Sequence, residues 1–410
     1  MHAAWLVLLL PIAASSGWFA AISSGKKQNS PRNNKLSNNY LKGVNFILND
    51  QPDKALEFFI TTLVVDSTTI ETHLSLGSLF CRRGEVDRAI RIHQNIVACA
   101  NLDAKYRFEA MLALARDYLS AGMFDRAEKL FLELIAANEY KVKSLYCLLD
   151  IYQQEKDWHK AIQTANNIKL TINDEEIDIY LAHYYCEIAT SLIKQKDFEL
   201  AAKSLYKALS FDINCSRANL LLADIEAIRG NYNLAINHLK NIKKQSPDFF
   251  VEALLPLANA YRALGKDKDF SIYLQNVLQE SAGAPALLLL PGQIVKRHGK
   301  NYAINLVANY VKKNPSIAGL HRLLEMNLND AGGTNNENLT TFYNVTEKLL
   351  FDQPVYKCIH CGFSGKQLHW HCPSCRKWST IRPIYALNNS ESFYATMQTK
   401  LVEGAHTCKC

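Results

Sequence analysis

Four cysteines near the C-terminus carry the strongest chemical signal in this 410-residue sequence: Cys358-x2-Cys361-x10-Cys372-x2-Cys375. A Cys-x2-Cys pair makes a tight knuckle that aims two sulfurs at one point, and two knuckles close a tetrahedral shell of four thiolates. Gly362 follows the first pair, where a residue without Cβ can turn with positive φ, and Pro373 stiffens the second. The predicted chemistry is therefore binding of one tetrahedral metal ion, iron or zinc, since four sulfurs suit both. A shell filled by Cys358, Cys361, Cys372 and Cys375 leaves no open position for a substrate or an activated water, which disfavours metal-assisted hydrolysis. His360, His369 and His371 share the stretch but find the shell already full, so they are read as bystanders. A structural clip, an electron carrier and a nucleic-acid finger all remain compatible with the spacing.

A module of about 30 residues cannot build a core without such a staple. Tyr356, Phe363, Leu368, Trp370 and Trp378 are expected to form its apolar support. Nearby cations amount to Lys357, Lys366, Arg376, Lys377 and Arg382. The whole chain carries a net charge of +7 and no run of five or more Lys and Arg, so a dedicated nucleic-acid surface is not indicated.

The elements that must present this module come from a repeating body. The tetratricopeptide pattern asks for small residues where two helices of a hairpin approach closely and bulky ones between neighbouring hairpins. Gly43, Phe46, Ala55 and Phe59 satisfy it first, then Gly77, Phe80, Ala89 and His93, then Ala115, Tyr118, Ala127 and Phe131. Ala161 and Ala201 mark two further units, and Ala223, Ala235 and Leu239 a sixth, with Pro247 after it. Two degenerate units follow: one has Ala258 and Tyr261 but Phe270 where Ala is expected, and the other has Ala303 and Pro315. Tyr152, Tyr184, Tyr185 and Tyr261 could line a groove, but aromatics at helical spacing more often pack. Such an array is a binding scaffold for another polypeptide. None of the motifs supplies a nucleophile with its base, a phosphate loop or an open metal site, so no catalytic residues are assigned.

The N-terminus reads differently. From Ala3 to Ile22, "AAWLVLLLPIAASSGWFAAI" holds no charge, and 20 residues of helix span about 30 Å, the thickness of a bilayer core. Lys26, Lys27, Arg32, Lys35 and Lys42 follow before the first acid, Asp50, which by the positive-inside rule keeps the body cytoplasmic. A cleaved signal peptide would lack this orientation, would need a basic stretch ahead of it, and would export the thiolates to an oxidising space. Of eleven cysteines, Cys81, Cys99, Cys147, Cys186 and Cys215 stand singly in helical segments and are expected to be small buried thiols. Cys408 and Cys410 end the chain in a tail.

The sequence "YKCIHCGF" with "CPSC" resembles rubredoxin and the wider zinc-ribbon class. Taken with the anchor and the repeats, "YKCIHCGF…LHWHCPSCRKWSTIRPI", Tyr356 to Ile384, resembles the bacterial lipopolysaccharide assembly protein B family. The resemblance places the family's metal ligands on Cys358, Cys361, Cys372 and Cys375. It also implies an inner-membrane adaptor that works with an FtsH-type membrane protease to promote degradation of the LpxC-type lipid A deacetylase. It further implies that the adaptor gathers other lipopolysaccharide-synthesis or transport proteins at the inner membrane.

The expected fold is all-α: a tetratricopeptide-repeat superhelical solenoid with an N-terminal transmembrane helix and a small C-terminal rubredoxin-like or zinc-ribbon module. The expected organisation is an anchor over 1–22, a tether over 23–34, repeats over 35–317, a helical cap over 318–353, the metal-binding domain over 354–385 and a tail over 386–410. The ribbon is expected to pack against the last repeats and fix that end of the array. A rubredoxin-like electron-transfer protein tethered to a repeat scaffold is the alternative.

Overall fold

The structure is a computed structural model. It describes residues 69 to 384 apart from 101, 173, 175, 280–294, 296–298, 314 and 329–336, together with scattered positions between 42 and 58. The segment Ala3 to Ile22, the tail, Phe59 and Pro315's neighbour at 314 lie outside the described residues. Among those described, no helix is long and apolar enough to cross a membrane.

The chain divides between Ile151 and Tyr152 into two compact units. The first contains α1 (Ile70–Arg82), α2 (Val86–Val97), α3 (Ala104–Ser120), α4 (Phe124–Ala136) and most of α5 (Lys141–Glu155). Its hairpins close where the pattern places small residues: Ala55, Ala89, Ala115 and Ala127 are all fully buried. Gly77 shows why. A Cβ there would lie 2.3 Å from Nε2 of His93, so only glycine lets α1 and α2 meet across that imidazole. His93 replaces the usual large apolar residue, and its Nδ1 pairs with the buried Asp117 carboxylate at 2.5 Å. Burial raises the Asp117 pKa, and the His93 bond opposes that rise.

The second unit contains α6 (Trp158–Ile172), α7 (Glu176–Lys194), α8 (Phe198–Phe211), α9 (Ser216–Ile228), α10 (Tyr232–Gln245), a 3-10 turn over Pro247–Phe249, α11 (Phe250–Ala263) and α12 (Asp267–Gln279). Helices α13 (Lys300–Lys313), α14 (Ile317–Leu328) and α15 (Glu337–Asp352) then lead to a three-stranded sheet of β1 (Tyr356–Cys358), β2 (Ser364–Gly365) and β3 (Ile381–Pro383). Ala161, Ala201, Ala223, Ala235, Ala258 and Ala303 are buried at the close approaches. In the degenerate seventh unit Phe270 is buried where alanine was expected, its ring 5.5 Å from that of Tyr261.

Within each hairpin the chain reverses through one left-handed residue. Gly84, Gly122, Gly230 and Gly265 serve four hairpins, whereas Lys156 (φ 59°) and Lys196 (φ 64°) hold the same conformation in the two between. The following backbone N–H groups close each turn, as Asp157 N to Tyr152 O and Asp197 N to Leu192 O do, both in the Schellman manner.

The chain is thus a mostly helical tetratricopeptide-type solenoid ending in a four-cysteine module. Tyr152, Tyr184 and Tyr261 are buried packing residues, and the Tyr185 ring stacks on Phe211. Of the five single cysteines, Cys186 and Cys215 are buried free thiols and Cys99 is a half-buried one. Cys81 and Cys147 are buried as expected, but each is held in a disulfide.

Candidate metal centre

The module is organised around two knuckles of matching design. In the first, Gly362 N donates to Cys358 O at 3.1 Å and Cys358 N to Phe363 O at 2.7 Å. The second repeats both bonds at the same offsets, Arg376 N to Cys372 O at 2.9 Å and Cys372 N to Lys377 O at 3.0 Å. The fourth residue after each leading cysteine takes positive φ, Gly362 at 79° and Arg376 at 56°. Sequence inspection points to the first through its glycine and misses the second. The sheet, in the order β2-β1-β3 with all pairs antiparallel, sets Cys358 opposite Ile381 and carries the first knuckle. Tyr356, Cys358, Cys372 and Ile381 form its small core with Phe363 and Leu368 packed on it.

All four sulfurs lie within 4.8 Å of one another. Cys358 and Cys375 are 3.8 Å apart and Cys361 and Cys372 3.6 Å. A tetrahedral shell with metal–sulfur bonds of ~2.3 Å has sulfurs ~3.8 Å apart, so the arrangement can bind one metal ion with little change. Iron and zinc fit it equally. The His360 N–H donates to Cys358 Sγ at 3.4 Å, and the Cys358 thiol in turn donates to Thr380 Oγ1 at 3.4 Å.

The thiols are electrostatically unequal. Burial disfavours the Cys361 thiolate, yet the Phe363 backbone N–H, the Ser374 hydroxyl and the neighbouring thiols outweigh it and bring the pKa down to about 6. Cys375 is pushed up to about 12, first by burial and then by the other three sulfurs despite the Lys377 backbone bond. A metal ion binding here must displace the protons that the thiols still hold.

The histidines sit outside the sulfur cluster. His371 Nε2 donates to Arg376 O at 2.8 Å, His369 lies edge-on to Phe363, and His360 is exposed.

Two of the expected apolar supports do something else. Trp378, 4% exposed, points out of the ribbon and into the helices of the same unit. Its ring stacks between His371 (4.5 Å) and His183 (4.8 Å) and meets Trp158 and Tyr184 edge-on at 6.2 and 5.9 Å. Its Nε1 donates to Gln153 Oε1 at 2.8 Å. Trp370 packs on Phe249 at 5.0 Å. Ser379 Oγ and His183 Nε2 are 2.6 Å apart, Tyr356 OH donates to Glu252 Oε1 at 2.6 Å, and the Arg382 guanidinium covers the Phe249 ring at 4.7 Å. The ribbon is thus seated on the end of α5, on α6, α7 and the start of α11 with the turn before it, where it finds aromatic and hydrogen-bonding partners. The last repeats were the expected place: the contacts to Phe249 and Glu252 fall there, and those to Gln153, Trp158 and His183 fall on earlier ones. Gln153, Trp158, His183, Phe249 and Glu252 were not legible as a set, because each occupies an ordinary helical position.

Fold and site together define a class: a tetratricopeptide array carrying a tetracysteine ribbon docked on its helices. Comparisons with known proteins narrow this. Residues 356–383 match the family described as the rubredoxin metal binding domain, and residues 72–103 match the tetratricopeptide repeat. The lipopolysaccharide assembly protein B of Escherichia coli K12 is 37% identical over 385 residues, covering 93% of this chain and 98% of that protein. Its namesake from Haemophilus influenzae is 37% identical over 388 residues, covering 92% and 98%. A solved tetratricopeptide repeat protein from Parabacteroides merdae is 15% identical, with a TM-score of 0.33 over 68% of this chain and 100% of that one. The chain belongs to the lipopolysaccharide assembly protein B family.

Proposed function

We propose that the chain is a non-enzymatic adaptor of lipopolysaccharide assembly, held at the inner membrane by Ala3 to Ile22 with its body in the cytoplasm. The observation that carries this is near full-length similarity to two proteins of that name, at 37% identity, with the repeat array and ribbon both included. In this reading the array binds a client and the anchor confines both client and protease to one surface, which raises their effective concentration. The client is the LpxC-type deacetylase and the protease is FtsH-type. Cys358, Cys361, Cys372 and Cys375 hold one iron or zinc ion, which acts through structure by keeping the ribbon folded.

A crosslinked pull-down from membranes tests the partners, with and without Ala3 to Ile22. Recovery of protease and deacetylase by the full chain, and loss of both on removing the segment, is the expected result. Recovery of neither by the full chain sinks the reading. Cys372→Ser tests the structural role of the metal: unchanged thermal stability, partner capture and deacetylase turnover together would remove it. A colourless zinc form with full activity separates this role from electron transfer.

A further inference from the structure

Helix α15 has more apolar surface than its neighbour covers. One row faces α14: the Tyr343 ring stacks on His321 at 4.5 Å, Thr346 Oγ1 lies 3.0 Å from His321 Nδ1, and the half-buried Leu339 and Leu350 continue the row. Beside it runs a second row, Phe342, Val345 and Leu349, which is 60%, 49% and 49% exposed. Spaced at i, i+3 and i+7, these three share one face. The outer face of a terminal repeat is ordinarily polar, because no further hairpin arrives to cover it. On α15 that face is apolar, as it is on a helix with a neighbour still to come.

The chain itself carries a matching segment. Ile384 N donates to Val355 O at 2.9 Å, so the chain leaves β3 just beyond the end of α15. It then runs on from Tyr385 to Cys410. Within this tail, "SESFYATMQTKLVEG" has the marks of a short amphipathic helix. Ser390 stands at the N-cap position with Glu391 in the first turn, Phe393, Met397 and Leu401 recur at i, i+4 and i+8, Lys400 lies toward the end and Gly404 follows. The five residues from Tyr385 to Asn389 reach up to ~17 Å, enough to turn the chain back along α15.

We propose that residues 390–403 form this helix and lie antiparallel on the bare row of α15, capping the array with the chain's own tail. Begun beside the end of α15, the run sets Phe393 opposite Leu349, Met397 opposite Val345 and Leu401 opposite Phe342. Charge fits the same direction. Glu391 comes within side-chain reach of Lys348 and Lys400 within reach of Glu337, both of them exposed on α15. A parallel run would bring Glu391 to Glu337 and Lys400 to Lys348, setting like charges together. The tether favours the tail over a second copy of the chain, because a linked segment acts at roughly millimolar effective concentration. Closed in this way, the array's last helix offers no apolar end on which another copy could stack.

The test uses the full chain. A benzophenone-bearing phenylalanine analogue replaces Phe393, and light- and heavy-isotope preparations are mixed equally and reconstituted into lipid vesicles. After irradiation, crosslinked peptides are read by mass spectrometry. Crosslinks from position 393 to the α15 peptide containing Leu349 are expected, joining light to light and heavy to heavy alone. The analogue placed instead at Thr399, on the opposite face of the tail helix, is expected to leave α15 unlabelled. Val345→Asp with Leu349→Asp removes the burial of two large apolar side chains and is expected to cut the crosslink at least about tenfold. Light-to-heavy crosslinks would make the occupant a second copy, and crosslinks to lipid would make it the membrane surface. Either result, labelling elsewhere in the chain, no labelling, or equal labelling from Thr399 overturns the proposal. If the double variant loses its helical circular dichroism, the crosslinks of the unsubstituted helix and their Thr399 control decide alone. None of these results bears on the lipopolysaccharide reading, which the pull-down tests separately.

Discussion

His183 is the residue on which the seating of the ribbon turns. It is buried against Trp378 and Ser379, and its pKa lies well below the ordinary histidine value. Burial is the main cause, and the positive charges of Arg217, His371 and Arg382 add to it. The sign of the pH dependence follows. Above pH ~6.5 the ring is neutral whether buried or free, so it contributes no pH dependence. As pH falls below ~6.5 the ring exposed by undocking takes up a proton that the docked ring refuses, so docking weakens with acid. Tryptophan emission followed from pH ~7.5 to ~5.5 is expected to report a progressive loss of the buried Trp378 environment. His183→Gln, which keeps a hydrogen-bonding side chain without the titration, is expected to flatten that profile; an unchanged profile assigns the effect elsewhere. In the first unit the most sensitive single position is Gly77. Gly77→Ala drives a methyl into the His93 imidazole, whose place is fixed by the buried Asp117. A loss of about 1–3 kcal/mol in urea unfolding is expected, the usual cost of overpacking a core.

At the scale of elements, the hairpin turns are the repeating device, and of the six whose two helices are both described, two use the wrong residue for it. Lys156 and Lys196 hold a left-handed backbone that lysine takes at a cost of about 1 kcal/mol relative to glycine. Lys196→Gly is therefore expected to raise stability by about 0.5–1 kcal/mol, read as a shift in the urea midpoint. A fall instead would mean that the lysine side chain contributes more than its backbone costs. These two turns also mark the limit of what can be read from sequence. The hairpins themselves were legible, because close helix approach admits only small residues and the alanines recur where that approach occurs. The turns at Lys156 and Lys196 were not, since their conformation is dictated by the helices they join and has no residue signature. The same contrast holds in the ribbon: Cys-x2-Cys spacing announces four converging sulfurs, and Gly362 its own turn, while the matching turn at Arg376 is silent. The seat of the ribbon is silent too, because Gln153 and His183 become neighbours of Trp378 and Ser379 only across 225 and 196 residues of folded chain, and Phe249 of Trp370 likewise at long range.

At the scale of the molecule, the ribbon is the part whose stability is expected to depend on metal. Its own core rests on Tyr356, Cys358, Cys372 and Ile381, too little to hold a fold alone. Chelation is expected to leave the far-UV helical signal of the array largely intact while tryptophan emission shifts as Trp370 and Trp378 leave their seats. Loss of both signals in one transition would show that the array itself needs the metal. The affinity for metal is expected to fall as pH drops, more steeply below pH about 6, where Cys361 also becomes protonated. Competition against a zinc indicator at several pH values measures it.

The distance along the chain between Gln153 and Trp378 has a consequence for synthesis. Gln153, which opens the aromatic box, leaves the ribosome 225 residues before the indole that fills it. At ~5–20 residues per second that interval is on the order of 10–45 s. During it the nascent array presents an open apolar box with no occupant of its own. A chain truncated before the ribbon never closes it, and so remains marked as unfinished to whatever recognises exposed aromatic surface.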